Sequence, residues 1–142
     1  MKFKRTLLFL GILVVIHFSL TGMLMKNNFF LIESEHTLVR MMLRANHIYI
    51  LFSGLILMLV SYSLKENMEV SYLSVLSYGI LVIAAVGINI CFYIEPISHL
   101  GLSTHAFQRK LTGFSIIGLL TGAGLHLLLI QFGDRKWRRN QH

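Results

Sequence analysis

Long uncharged stretches alternate with short charged segments along this chain. Four stretches contain no Asp, Glu, Lys or Arg, and they are Thr6–Met25, Ala45–Leu64, Val70–Ile94 and Leu111–Gly133. Each is predominantly apolar over about 20 residues or more, the length of α-helix that spans the hydrocarbon core of a bilayer. Backbone groups in lipid must be hydrogen-bonded within the structure, and the period-two alternation of a membrane barrel is absent. The sequence therefore predicts an all-α, four-helix membrane bundle, one domain over residues 1–142, with transmembrane helices at about 6–25, 46–64, 70–94 and 111–133.

The segments between the uncharged stretches differ in character. Ser34-Glu35-His36 is typical of a helix start, and no helix breaker occurs in the ten residues that follow it. We therefore expect the second helix to begin before its apolar run and to extend on the outer side of the membrane. Pro96 and Gly101 indicate a loop over residues 95–110.

The composition supports membrane insertion and argues against nucleic acid as a partner. Charged residues make up 13% of the chain and hydrophobic residues 55%. Soluble domains carry about 25% charged residues, so this chain has too few to cover a surface that faces water. The net charge is +7, but most basic residues flank the apolar stretches, where Lys and Arg meet lipid headgroups. We therefore expect the lipid bilayer, and no nucleic acid, as a partner.

The distribution of Lys and Arg indicates how the helices are oriented. Cytoplasmic loops of membrane proteins are enriched in these two residues. With four spans, the side that holds both termini carries eight of them and the other side carries five. The sequence thus predicts that both termini lie in the cytoplasm, and the lack of an organelle-targeting segment favours a bacterial inner membrane. No small-residue cleavage site follows the first stretch, so we expect that stretch to be retained as an anchor.

Two histidines lie deep within the predicted spans, His17 in the first and His126 in the fourth. An ionisable side chain at such depth is rare and usually faces the bundle interior, which makes it a candidate for function. Gly118, Gly122 and His126 are four residues apart, so they share a helix face that a flat cofactor can approach closely. Two neutral imidazoles from facing helices ligate a six-coordinate haem b. The paired histidines resemble those of small four-helix membrane cytochromes, and the resemblance implies a haem with His17 and His126 as iron ligands.

A second group of polar residues is predicted at the outer membrane surface. One face of the second helix carries residues at spacings of four, four and three, and these are His36, Arg40, Arg44 and His47. The opposite outer loop contributes Glu95, His99 and His105. Arg40 and Arg44 are suited to bind haem propionates, a quinone carbonyl or lipid phosphate. We therefore predict a cofactor-binding group here, in which Arg44 and His47 are best placed because they lie at the rigid start of a helix.

The same residues also admit a purely structural interpretation. A membrane-buried histidine can hydrogen-bond a polar side chain across the bundle, and the candidates for such bonds are Ser19, Thr21, Asn89 and Thr121. The face formed by Gly118 and Gly122 is suited to contact a helix of another membrane protein. Two hypotheses follow. The chain is a haem- or quinone-linked redox membrane protein, or it is a non-catalytic membrane subunit or assembly partner whose histidines stabilise helix packing.

Overall fold

The computed structural model describes the backbone of residues 2–32, 37–64, 72–98 and 109–139, and the side chains of residues 3–27, 39–64, 72–96 and 109–131. This part of the chain forms four helices, namely α1 (Lys2–Ile32), α2 (Thr37–Ser63), α3 (Tyr72–Ser98) and α4 (Lys110–Arg139). Each helix is long and apolar enough to cross a membrane. The prediction of an all-helical fold with four such helices is confirmed.

The start of α2 and the end of α3 test what the sequence predicts for the segments that connect the helices. α2 begins at Thr37, before its apolar run, as expected. α3, however, continues two residues beyond Pro96, so the prediction of a loop from residue 95 onward is wrong. Proline removes one backbone donor, and so close to the helix end this interrupts little of the hydrogen-bond ladder. Gly101 and the helix-start residues 34–36 lie outside the described residues.

The helices pack in an antiparallel order, α1 on α2, α2 on α3 and α3 on α4. Near the start of α1, the Lys4 carbonyl accepts a hydrogen bond of 2.7 Å from the Ser61 hydroxyl near the end of α2. Near the start of α4, the Thr112 amide donates to the Glu95 carboxylate near the end of α3. We call the end of the bundle that holds the start of α1 and the end of α4 the termini end, and the opposite end the far end.

Glycines allow the closest approach between helices. In the α1–α2 contact, a Cβ atom added to Gly54 would lie 3.2 Å from the Gly11 carbonyl oxygen. In the α3–α4 contact, a Cβ atom added to Gly122 would lie 2.7 Å from Cγ of Leu81. The missing side chains let the helix backbones approach each other. α3 of the same chain therefore packs on the face formed by residues 118 and 122, and a contact of this face with another membrane protein stays a prediction.

The bundle is apolar both inside and outside. Fully buried aliphatic side chains form the core, and these include Ile50, Leu57, Leu81, Ile88 and Leu119. Large apolar side chains also point outward, since Phe9, Ile83 and Phe114 are 61%, 73% and 71% exposed. A water-soluble bundle would carry polar residues on this surface. The apolar exterior therefore suggests contact with a lipid bilayer.

Candidate functional site

A groove runs along the side of the bundle between α1 and α3, with α2 as its floor. Its volume is about 270 Å³, and the residues that line it are Leu10, Val14, His17, Leu57, Val82, Ala85, Val86, Asn89, Ile90 and Tyr93. Val86, Ile90 and Tyr93 are also exposed on the surface, so the groove opens to the outside of the bundle. Along α3 the lining runs from residue 82 to residue 93, which is about 16 Å of helix. Its polar groups lie together toward the far end.

Three side chains form this polar end of the groove. His17 Nδ1 lies 2.5 Å from Asn89 Oδ1, and His17 Nε2 lies 2.7 Å from the Tyr93 hydroxyl. Asn89 Nδ2 donates in turn to the Ala85 carbonyl at 2.7 Å. Asn89 and Tyr93 are one helical turn apart, so both lie on the face of α3 that looks toward α1. Of the partners that the sequence offers for a buried histidine, His17 contacts Asn89.

The groove exists because α1 packs closely on α2 and only loosely on α3. Gly11 and Gly54 bring the backbones of α1 and α2 together, where larger side chains would hold them apart. Val82, Ala85 and Val86 have short side chains, which do not fill the space that remains beside α1. A close contact in one helix pair therefore leaves an opening in the neighbouring pair.

His47, a predicted member of the outer group, lies in the contact between α1 and α2. The Thr21 hydroxyl donates to the Phe18 carbonyl at 2.9 Å, so its oxygen accepts from His47 Nδ1 at 3.0 Å. The His47 ring stacks on Phe18 with ring centres 4.0 Å apart, and Gly22 leaves room for its edge. His47 is therefore held in one orientation, with Nδ1 as donor and Nε2 as acceptor. Thr21 pairs with His47, not with His17.

A buried polar network joins α2, α3 and α4 at the far end. The Glu95 carboxylate accepts hydrogen bonds from the Thr112 amide at 2.8 Å and from the Thr112 hydroxyl at 2.5 Å. Arg109 Nε lies 3.6 Å from the same carboxylate, and Arg109 Nη2 donates to Asn46 Oδ1. Asn46 Nδ2 donates to the Cys91 carbonyl at 3.0 Å. Glu95 therefore accepts a hydrogen bond from a backbone amide in the first turn of α4 and neutralises the charge of Arg109.

His126 lies near the termini end and is only 1% exposed. The Ser63 hydroxyl donates to the Val60 carbonyl at 2.8 Å, so its oxygen accepts from His126 Nε2 at 2.7 Å. The Tyr78 ring lies beside the imidazole, with ring centres 5.7 Å apart. Within the described part of the chain, His126 Nδ1 has no hydrogen-bond partner. His126 is thus held by α2 and α3 and does not line the groove.

The structure does not bring His17 and His126 together. His17 contacts Asn89, whereas His126 contacts Tyr78, eleven residues earlier on α3 and about 16 Å away along the helix. Two axial histidines must flank a single haem iron, and this pair does not fit that geometry. Among the residues with described side chains, no group of three or more His, Cys, Asp or Glu could hold a metal ion. The structure therefore gives no support to the predicted haem.

The predicted outer cofactor group is described only in part. Arg40 is half-buried and Arg44 is exposed, on the turns of α2 that precede His47. Neither arginine lines the groove. The remaining histidines of this group lie outside the described residues, and they are His36, His99 and His105. The role of Arg40 and Arg44 in binding an anionic or carbonyl group stays a prediction.

Two partners at these sites are not predicted by the sequence, namely Tyr93 for His17 and Arg109 for Glu95. A signal for the second pair is present, because Glu95 directly follows one apolar stretch and Arg109 lies two residues before the next. Consecutive antiparallel helices bring such ends together. For the first pair, Tyr93 and Asn89 are four residues apart and share a helix face. Nothing in the sequence indicates that this face meets α1.

Comparison of the chain with protein-family models, with curated proteins and with solved structures gave no match. The groove and its polar end are therefore the features from which a function can be inferred.

Proposed function

We propose that this is an integral membrane protein with four membrane-spanning helices, which binds a lipid-soluble ring compound of the quinone class in the groove between α1 and α3. One observation carries the proposal. The apolar groove ends on three hydrogen-bonded polar side chains, those of His17, Asn89 and Tyr93. An ionisable side chain within a membrane helix is a candidate for function, and this one borders an opening toward lipid.

The shape and chemistry of the groove suit an amphipathic ligand with a small ring head. Ligand pockets are mostly apolar, with a few polar groups that orient the ligand, and have volumes of about 300–1,000 Å³. The groove, at about 270 Å³, lies just below this range, which suits a ligand head as small as one ring with the start of a tail. The Tyr93 hydroxyl and His17 Nε2 are hydrogen-bonded to each other, and they become available to an oxygen on the ring when that bond opens. Val86 and Ile90, both exposed at the open side, flank the path of an alkyl or isoprenoid tail into the lipid.

We propose further that both termini lie in the cytoplasm of a bacterial cell and that the helices cross its inner membrane. The excess of Lys and Arg on the side of the termini supports this orientation. The polar end of the groove then belongs to the outer half of the bilayer. A ligand dissolved in the membrane reaches the groove sideways, between α1 and α3, without passing through water.

The alternative is a non-catalytic membrane subunit in which the buried histidines only stabilise helix packing. Hydrogen bonds such as those of His17 to Asn89 and of His126 to Ser63 are consistent with that role. The groove favours ligand binding for His17, because a histidine that serves packing alone requires no opening beside it.

Photo-crosslinking in lipid nanodiscs tests whether the groove binds such a ligand. The protein is incubated with a short-chain azidoquinone, illuminated and digested, and the labelled peptides are identified by mass spectrometry. We expect labels on the groove-lining parts of α1 and α3, and competition by an unlabelled alkylquinone. An unlabelled protein at saturating probe would favour the packing role.

Two matched variants make the crosslinking test specific. Val86→Phe places a ring in the groove, whereas Ile83→Phe places the same ring at an exposed position of α3 outside the groove. We expect labelling of Val86→Phe to require about tenfold more probe, a loss of about 1.4 kcal/mol in binding, and labelling of Ile83→Phe to be unchanged. Equal labelling of the two variants would exclude the groove as the binding site.

A further inference from the structure

The protons at the polar end of the groove can be assigned from its hydrogen bonds. Asn89 Nδ2 donates to the Ala85 carbonyl, so the amide oxygen of Asn89 is the atom that faces His17. An amide oxygen only accepts hydrogen bonds, and His17 Nδ1 must therefore carry a proton. A neutral imidazole has one such proton, so His17 Nε2 is an acceptor, and the Tyr93 hydroxyl donates to it at 2.7 Å. Asn89 thus holds His17 in one tautomer.

This arrangement limits what a ligand oxygen can do at the site. Tyr93 lines the groove, but its hydroxyl proton is held by His17. Tyr93 can donate this proton to a ligand oxygen only if its bond to His17 breaks. A ligand hydroxyl can replace that bond, because it accepts from Tyr93 and donates its own proton to His17 Nε2. A carbonyl or ether oxygen cannot donate. If such an oxygen accepts from Tyr93, His17 Nε2 loses its donor. If Tyr93 keeps its bond to His17, the ligand oxygen forms no hydrogen bond, and either outcome weakens binding.

Tyr93 has the freedom to admit a ligand oxygen between itself and His17. Its side chain is 46% exposed, on the open side of the groove, whereas His17 and Asn89 are half-buried. A small rotation of the Tyr93 ring toward the lipid lengthens the Tyr93–His17 distance. The Asn89 bond to His17 is on the other ring nitrogen, so the tautomer is preserved while the ligand enters.

We infer that the groove selects ring compounds that carry a hydroxyl group, as phenols and quinols do, over the corresponding quinones and ethers. This inference rests on the proposed function, because it concerns the same groove. It specifies the head of the ligand, which carries a hydroxyl group that accepts from Tyr93 and donates to His17 Nε2. An acceptor left without its bond should reduce the affinity about tenfold or more.

Two redox-inert probes that differ by one methyl group test this preference. A long-chain para-alkylphenol and its methyl ether each compete with the azidoquinone label. The azidoquinone itself can accept from Tyr93 but cannot donate to His17 Nε2. We expect the phenol to displace the label at about tenfold lower concentration than the ether. In Asn89→Leu, His17 is free to carry its proton on Nε2, so the advantage of the phenol should disappear. Asn27→Leu, which removes an exposed amide of α1 outside the groove, should keep it.

Tyr93→Phe keeps the test decisive if Asn89→Leu does not fold. This variant leaves His17 Nε2 free to accept from the phenol, whereas the ether loses its only donor, so the preference should remain at about tenfold or more. Equal competition by phenol and ether in the unmodified protein overturns the inference and leaves the proposed function standing. Absence of specific labelling in the groove overturns the proposed function itself.

Discussion

Buried Glu95 and partly exposed Arg109 form an ion pair at the far end of the bundle. Glu95 binds Thr112 at the start of α4, and Arg109 binds Asn46 of α2 and lies over the Tyr49 ring at 5.6 Å from its centre. Removal of charges from water is costly unless each charge is paired and hydrogen-bonded. We therefore expect the pair to contribute more to fixing where α3 and α4 meet than to net stability.

Glu95→Gln tests this dependence at the scale of one residue. The amide keeps the shape of the side chain and one of the two oxygens that accept from Thr112, but it leaves the Arg109 charge without its counterion. We expect the free energy of unfolding to fall by about 1–3 kcal/mol, less than for a fully buried pair because Arg109 is partly exposed. Denaturant unfolding in detergent micelles measures it.

A double variant provides the control for this ion pair. Adding Arg109→Gln to Glu95→Gln removes the unpaired charge, so part of the lost stability should return. If the losses of the two single variants simply add, the two charges do not interact in the folded protein.

The three histidines with described side chains show what a sequence can and cannot predict at this scale. His17 and His126 lie in apolar stretches, and this alone is enough to predict that both lie within the bundle. Their partners could not be predicted. A hydrogen bond between helices depends on the rotation of each helix about its axis, and helices that are apolar on all sides leave that rotation undefined. The separation of His17 from His126, and hence the misfit to haem, follows from those rotations.

At the scale of the helices, small residues decide which faces pack together. Length and hydropathy predict four helices, because a membrane span has a minimum length. The sequence also indicates that the face of Gly118 and Gly122 is a close-contact surface. It does not identify α3 as the partner, since a glycine face fits any helix of complementary shape. Leu81 and Ala84 supply that shape in this chain.

Gly122→Ala tests the closeness of the α3–α4 contact. The added Cβ atom would lie 2.7 Å from Cγ and 3.2 Å from the backbone nitrogen of Leu81, which is fully buried. We expect a loss of about 1–3 kcal/mol in unfolding free energy from overpacking. Gly124→Ala, on the same helix, meets nothing within 4 Å and should be neutral or stabilising by up to about 1 kcal/mol. Similar melting temperatures for the two variants would contradict this packing.

At the scale of the whole molecule, the groove is the feature that the sequence could not reveal. It results from the balance between two helix contacts, a close one of α1 with α2 and a loose one of α1 with α3. No local pattern of residues encodes such a balance. The antiparallel order of consecutive helices, by contrast, follows from four successive spans, because each crossing reverses the direction of the chain.

The proposed orientation can be tested with reporter fusions in bacteria. A periplasmic alkaline phosphatase needs disulfides, which form outside the cytoplasm. Fused to the C-terminus it should be inactive, and fused after residue 103, in the segment between α3 and α4, it should be active. The reverse pattern would show that the bundle is inserted the other way round.

The layer of buried leucines at the middle of the bundle has a consequence for bioenergetics. Three leucines of this core are at most 1% exposed, namely Leu57, Leu81 and Leu119. They separate the polar groups around His126 from those around Glu95, and their side chains offer neither donor nor acceptor. Protons travel along relays of hydrogen bonds, and this layer interrupts such a relay in the described interior. We therefore expect the described interior to offer no continuous hydrogen-bonded path for protons from one end of the bundle to the other.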